Sequence, residues 1–576
     1  MGDVIPDEAS LRVATPELLQ NRFGINVRTN TEALSINPEE QTVTIAPTVT
    51  LSAFASGTPS QTEGESPSAP TETLHYDYLV VATGAKAIVP PWPGVDEDGV
   101  FILRTIPHAR VLRQWISDAK ARVDGERRVR VGIVGAGFIG LELADSLVES
   151  GVEATVIEFA PQIMPPMDPE MAALLHTRVQ TAAGDALQMV VNDGVCGIIR
   201  NEEQGEGGAY TFSIATNSGA SYDADLVVIS IGVKPESSLA KAAGLALGPR
   251  GAIAVDASFR TSDPRIFAVG DVAQTADRVT GQPMSLALAG PANRAGRIVA
   301  DVIASAGKPA SSLAVRSRAR LPGTTTLSKG VLATWVCGVF GFVSAGVGAS
   351  QRTLDRAAAS GENMGDTGCA YVIAGHHVGY YPGARKVFLK LHYSKIDGRI
   401  LGAQAVGEEG VERRIDVIAT TMAMGGSVYD LVDLELAYAP KFGAARDLVN
   451  MLGMVAANDL DKVDPLVHWG KDGESGSVCV THADLVLDVR SASEVESTPV
   501  PDMTTVHIPL HDLRALVIAN DTAGLASAGL PVDFSGVIGV LCAVGRRAHV
   551  ASTLLRDTFS LDARTISGGI SILHHA

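Results

Sequence analysis

Gly135, Gly137 and Gly140 follow the apolar run Val129–Val134 and open the helical stretch Leu141–Glu149. That spacing lets backbone N–H groups and a helix N-terminus face a pyrophosphate at close range. The next apolar run, Ala154–Ile157, ends at Glu158, where a carboxylate accepts a hydrogen bond from a ribose 2′-hydroxyl. A negative charge there repels a 2′-phosphate, so the pattern predicts NADH over NADPH. Gly232, after the apolar run Leu226–Ile231, closes the same unit. The alternative is a glycine turn in an unrelated βαβ unit.

Two weaker turns flank this unit. Tyr76–Ala85 reads as a buried strand ending in Thr83-Gly84, and Ile266–Val269 runs into Gly270-Asp271. A strand ending in Gly-Asp puts a carboxylate at the carboxyl end of a parallel sheet, where ligands bind. Asp271 there suits a polyol such as the ribityl chain of FAD; capping a helix is its alternative. Placed on both sides of an embedded dinucleotide unit, the two turns favour a flavin.

A second chemistry stands near the C-terminus. Strand Val537–Leu541 leads into Cys542-Ala543-Val544-Gly545-Arg546-Arg547 and then the helical stretch His549–Arg556. A cysteine between strand and helix points its sulfur at backbone N–H groups and a positive helix end, which stabilises a thiolate or persulfide. Gly545 permits the tight loop, and Arg546 and Arg547 add positive potential. A buried, inert Cys542 is the alternative.

Elements of ordinary kind must position these groups. The chain has 576 residues, enough for three or four domains, with 46% hydrophobic residues and 59 glycines, as in an α/β protein rich in turns. A net charge of −18 excludes nucleic acid and anionic membrane as natural partners. The five cysteines, at 196, 337, 369, 479 and 542, show no metal-ligand spacing, so no metal is expected. They suit a reduced, cytoplasmic compartment better than a disulfide scaffold. Cys196, Cys337 and Cys369 read as small buried hydrophobes.

Residues 24–46 alternate as antiparallel strands, and the Ser/Thr/Pro-rich stretch 47–72 reads as a disordered insertion. A helix is expected over 106–122 and another from about Asn293. Residues 330–350 carry no charge and could span a bilayer by length. Their five glycines and β-branched residues fit two buried strands better, so no membrane partner is expected. Strands near 386–393 and 400–405, a helix near 411–424 and a polar linker at 469–477 precede the final module.

The chain resembles the coenzyme A-disulfide reductase and NADH oxidase branch of the pyridine nucleotide-disulfide oxidoreductases, in the form with a C-terminal rhodanese domain. Val4-Ile5-Pro6-Asp7 and Thr15-Pro16-Glu17 resemble the segment after the family's active-site cysteine. Ala289 to Arg294 resembles its flavin-lining segment. His376 to Gly383 and Tyr438-Ala439-Pro440 resemble its interface motifs, and Leu487 to Arg490 with Ser567-Gly568-Gly569 resemble rhodanese landmarks. The resemblance implies two nested doubly wound nucleotide-binding domains, the first incomplete, an α+β dimerisation domain and a rhodanese-like α/β domain. Their spans would be 1–125 with 245–318 for FAD, 126–244 for NAD, 319–457 for dimerisation and 478–576 for rhodanese. It further implies a homodimer in which Tyr438 and Tyr380 or Tyr381 act as hydroxyl donors, with interface packing as their alternative. Arg22, Asn293 and Arg446 would bind a coenzyme A disulfide or persulfide, although Arg22 and Arg446 read equally well as solvated charges.

The family's first Gly-rich motif and its redox cysteine belong upstream of Met1. The expectation is therefore either a start downstream of the true one or a genuine loss of activity, with weak FAD binding and little disulfide reduction. Three activities compete: a flavin- and NADH-dependent reductase, a sulfurtransferase using Cys542, and a non-catalytic NAD-binding dimer.

Overall fold

The computed structural model describes residues 8–48, 70–123, 125, 127–201, 211–306, 327–362, 364–471, 478–500, 503 and 505–573. The 47–72 insertion therefore falls largely outside the described residues, as do 4–7 and 472–477. The chain divides into two units, one of residues up to Pro165 with Gln180–Ala333, the other of Pro166–Val179 with Thr334 onward.

At the centre of the first unit is a five-stranded parallel sheet ordered Val100–Ile102, Leu226–Ile229, Arg130–Val134, Glu153–Ile157, Leu187–Val190. Its central strands are buried almost throughout, which is why they read as unbroken apolar runs. Phe138–Glu149 buries Leu141, Leu143, Ala144 and Leu147. On the sheet, Ile214 presses so closely on Gly132 that a Cβ there would lie 2.2 Å from its methyl. Chain order reverses between Arg130–Val134 and Leu226–Ile229, and the Gly135 and Gly232 turns leave from those two strands. Such a reversal opens a crevice at the carboxyl ends of the strands.

The core beside the Gly84 and Gly270 turns gathers Ile36, Val81, Leu245, Ile253, Ile266 and Val272. Thr31–Asn37, Thr42–Pro47 and Glu72–His75 form an antiparallel sheet; Ile25 and Val27 lie outside it, contrary to the expected start at residue 24. The run Tyr76–Ala85 is likewise not one strand. Leu79–Val81 pairs in parallel with Ile266–Ala268, and after a turn at Gly84 (φ +71°) Ala85–Ala87 pairs antiparallel with Val233–Pro235. The positive φ of Gly84 redirects the chain, which periodicity alone does not register. Leu79–Val81 has one parallel neighbour among the described residues, and Val80 stays 40% exposed. Helix Ala289–Ser305 begins four residues earlier than expected and packs Ala295 and Val299 on Phe259 and Phe267.

In the second unit, the antiparallel sheet Trp335–Val339, Phe342–Gly348, Ile400–Gly407, Lys386–Ser394, Thr367–Gly375 is covered by helices Val411–Ala423 and Leu448–Leu460. Residues 330–350 form the expected hairpin. Among the described residues no helix is long and apolar enough to cross a membrane. Beneath the sheet lies a buried charge cluster. Lys390 Nζ sits 2.8 Å from Asp168 and 2.6 Å from Glu170, His392 Nε2 is 2.6 Å from Asp168, and the Tyr371 hydroxyl donates to Glu170 at 2.9 Å.

The C-terminal module is a parallel sheet ordered Leu466–Val467, Ala563–Ile566, Ile538–Leu541, Leu485–Asp488, Val506–His507. Helices Leu510–Ile518 and Arg546–Phe559 cover its core of Leu487, Val540, Leu513 and Leu555. Part of the expected 469–477 linker is strand, because Trp469–Lys471 pairs with Val478–Val480. The Trp469 indole N–H donates to the Gly569 carbonyl at 2.8 Å, and the Tyr371 amide donates to the Ser567 hydroxyl at 3.1 Å, the second bond tying this module to the sheet beside it.

Candidate functional site

The glycine triplet occupies a strand–turn–helix corner. Gly135 has φ +108°, and a Cβ there would strike the Ser230 carbonyl at 2.7 Å. Gly140 lies inside the helix, where a Cβ would meet the Gly135 carbonyl at 2.0 Å. Gly137 caps the helix with nothing within 4 Å of its Cβ position. Two of the three glycines therefore exist for packing, and the open one leaves room for a ligand against the backbone. Glu158 follows strand Glu153–Ile157, and its carboxylate accepts the Ala136 and Ala160 amides, each at 2.8 Å. Each oxygen keeps a lone pair for a ribose hydroxyl. At the neighbouring strand end, the Ser230 hydroxyl donates to Val134 and Gly135 carbonyls, and Gly232 (φ +106°) leaves open space.

On the flavin side, the Thr83 hydroxyl donates to the Glu236 carbonyl at 2.6 Å, and the Gly84 carbonyl accepts the Glu236 amide at 2.9 Å. Asp271 lies in the short 3-10 turn Gly270–Val272 rather than capping the Ala289 helix. Arg104 was not anticipated. It donates to the Ala85 carbonyl at 3.1 Å and reaches Asp271 at 3.5 Å, joining both flanking turns. Its signal was an arginine just past the apolar run Val100–Ile102, at the carboxyl end of a parallel strand. Asn293 is exposed on the Ala289–Ser305 helix. Asp271 and Arg104 suit the polyol side of FAD. Its pyrophosphate finds no second glycine turn among the described residues, so the fit is partial.

The tyrosines expected to act together do meet. Tyr380, 76% exposed, shares a hydrogen bond with Tyr438, which raises the Tyr380 pKa. Tyr381 stands edge-on to His377 with ring centroids 5.5 Å apart. This loop is held from beneath by Arg414, buried, which donates to the His376 carbonyl at 2.7 Å and to Asp447 at 2.8 and 3.2 Å. Arg22 is exposed in the first unit, its guanidinium over Phe23, and Arg446 is exposed in the second. Cys337 is buried as expected, but Cys196 is exposed and Cys369 intermediate. A register shift between Val195 and Gly197 falls at Cys196, which is exposed in the Val195–Arg200 strand. Burial, foremost, pushes the Cys369 thiol up to about 11, which leaves it protonated.

Cys542 follows strand Ile538–Leu541 and is 1% exposed. The Gly545 amide donates to its sulfur at 3.1 Å, and Gly545 (φ +94°) caps helix Arg546–Phe559. That helix starts three residues before the expected one, so its positive end lies at the loop. Ser567-Gly568-Gly569 supports the loop from behind. The Ile570 amide donates to the Cys542 carbonyl at 2.9 Å, and a Cβ on Gly569 would lie 2.3 Å from that carbonyl. Arg547 forms a two-pronged ion pair with Glu494 at 2.6 and 2.7 Å, whereas Arg546 is exposed. Asp488 and Arg490 form a wholly buried pair.

Residues 4–292 match the family model described as pyridine nucleotide-disulphide oxidoreductase, and residues 339–448 match its dimerisation domain. The chain is 29% identical over 457 residues to the coenzyme A disulfide reductase of Staphylococcus aureus strain JH9, covering 79% of this chain and 89% of that protein. The crystal structure of reduced Bacillus anthracis CoADR-RHD superposes with TM-score 0.80 at 34% identity, over 99% of this chain and 88% of the other. An NAD-dependent persulfide reductase from A. fulgidus superposes with TM-score 0.77 at 29% identity, over 99% and 91%. The glycine corner, the antiparallel sheet and the cysteine-bearing module thus lie on one known scaffold, and the chain belongs to the pyridine nucleotide-disulphide oxidoreductases, as a flavoprotein oxidoreductase with NAD-binding and dimerisation domains and a C-terminal rhodanese-like module.

Proposed function

We propose that this chain is an NADH-dependent reductase of coenzyme A disulfide or a persulfide, with FAD as its flavin and a homodimer as its working form. The observation that carries the reading is the Glu158–Ala136 bond, which sets a carboxylate beside the open Gly137 turn. There it accepts from a ribose 2′-hydroxyl and repels a 2′-phosphate. The names of the relatives, coenzyme A disulfide reductase and persulfide reductase, support the substrate class. Tyr380 and Tyr438 are the hydroxyl donors to that substrate, and Arg22, Asn293 and Arg446 bind its polar groups.

The test is flavin absorbance of the purified chain together with NADH oxidation driven by coenzyme A disulfide. Bound flavin and NADH oxidation that depends on coenzyme A disulfide are expected. Failure to bind NADH, or oxidation indifferent to coenzyme A disulfide, would overturn the reading.

A second reading, sulfur transfer at Cys542, is favoured by the Gly545 amide on the Cys542 sulfur. The Cys542 thiolate attacks the outer sulfur of a donor such as thiosulfate. A cysteine S–S bond forms as the donor's S–S bond breaks, and sulfite leaves with the bonding pair. An acceptor such as cyanide then takes the terminal sulfur and the thiolate returns, with no outside oxidant. Thiosulfate-to-cyanide transfer by the full chain, lost in Cys542→Ala, is the expected result. Transfer that survives the substitution would refute it.

A further inference from the structure

Glu494 belongs to no motif read from the sequence, yet it stands at the junction of three constraints. It is the third residue of helix Ala492–Ser497 and closes a capping box, accepting the Ser491 amide at 3.0 Å and hydroxyl at 2.9 Å. Its two oxygens also receive both prongs of the Arg547 guanidinium. The short helix cannot drift, because Arg490 is clamped to Asp488 and donates onward to the Thr498 carbonyl at 2.8 Å and the Glu494 carbonyl at 3.3 Å. Arg547 lies in the first turn of the helix that Gly545 caps, and the Gly545 amide holds the Cys542 sulfur at 3.1 Å. The result is a fixed line from Asp488 through Arg490, Glu494 and Arg547 to the Cys542 loop.

A free arginine side chain samples many rotamers, and ordering it at the moment of reaction costs conformational entropy. A carboxylate matched to its fork removes that cost in advance. Glu494 also balances the Arg547 charge, so Arg547 serves as an aimed donor more than as a source of net positive potential. Arg546, one residue earlier, has no such clamp.

We infer that Glu494 is a positioning residue for sulfur transfer at Cys542, holding Arg547 so that its guanidinium, and not that of Arg546, faces the terminal sulfur of a Cys542 persulfide. This rests on the reading of Cys542 as a sulfur-carrying thiol.

The test measures thiosulfate-to-cyanide transfer by the full chain in wild type, Glu494→Gln, Arg547→Lys and the double variant. Glu494→Gln and Arg547→Lys should each lower kcat by about tenfold, with the double variant no worse than either, as expected of residues acting as one unit. In Glu494→Gln the pH profile of Cys542 alkylation should also move to lower pH, because the Arg547 charge is no longer balanced. A merely structural role would not move that profile. Arg547→Lys leaves the capping box intact, so it carries the test if Glu494→Gln folds poorly. Wild-type kcat in Glu494→Gln, or losses that multiply in the double variant, would overturn the inference alone. Absence of Cys542-dependent transfer in wild type would overturn the Cys542 reading beneath it.

Discussion

The Glu158 carboxylate, at the end of one strand, accepts the Ala136 amide in the glycine turn of the strand beside it at 2.8 Å. The same bond that orders the turn fixes the carboxylate to which the proposed function gives the choice of nucleotide. Glu158→Gln keeps the size and an acceptor but removes the charge. Its NADH Kd should rise about tenfold, in line with a charge-assisted hydrogen bond, while the preference over NADPH narrows. Fluorescence titration with both nucleotides measures this. An unchanged NADH-to-NADPH ratio would remove Glu158 as the discriminating residue.

The glycine triplet separates packing from binding. Gly137→Ala has open space for its Cβ and should unfold at the wild-type temperature, yet bind NADH at least about tenfold more weakly, because the new methyl occupies the approach of the pyrophosphate. Gly140→Ala drives a Cβ into the Gly135 carbonyl and should lower stability by about 2 kcal/mol or more. Calorimetry and NADH titration on both variants distinguish the two effects.

Arg414 supports the Tyr380–Tyr438 pair from within the core. Arg414→Met strands the buried Asp447 carboxylate and frees the His376 carbonyl, at an expected cost of about 3–5 kcal/mol. Arg414→Lys should recover little, since one ammonium cannot reproduce the fork to Asp447 together with the bonds to His376 and Gly410. Denaturant unfolding gives the loss, and a lysine variant as stable as wild type would show that charge alone suffices.

Stability should fall on the acid side of neutrality. Burial and then the Lys390 charge push His392 down, and the same two causes push His468 down to about 3. Both stay neutral in the fold but take protons in the unfolded chain below about pH 6.5, so stability declines as pH falls from there. Burial alone would raise Asp168, but the His392 hydrogen bond and Lys390 hold it well below the usual range. Its contribution is present above about pH 4 and declines below it, in the same direction. His549 has the opposite sign, because the Asp464 hydrogen bond raises it and its contribution is lost as pH rises. Thermal unfolding between pH 7 and 4 should show a falling Tm, with a shallower slope in His392→Asn. A flat profile would contradict the neutral state of these histidines.

Much of the molecule was legible in the residues alone. The Gly135 corner, the Glu158 strand end and the Cys542 loop each depend on a pattern spanning one strand, one turn and one helix. Hydrophobic period and the need for positive φ at glycine write such patterns into adjacent residues. The errors came where the chain turns without a change in apolarity, as in Tyr76–Ala85 around Gly84, or where exposure depends on what covers a strand, as at Cys196.

Pairings across long separations had no such local signature. Arg104 with Asp271, Glu494 with Arg547 and Lys390 between Asp168 and Glu170 join residues whose types are common and whose spacing says nothing. Sequence alone determined where the glycine corner and the Cys542 loop stand, because backbone geometry there is set within a few residues. Only the tertiary structure decided which charge aims which group, since a side chain's partner is chosen by the packing of distant strands.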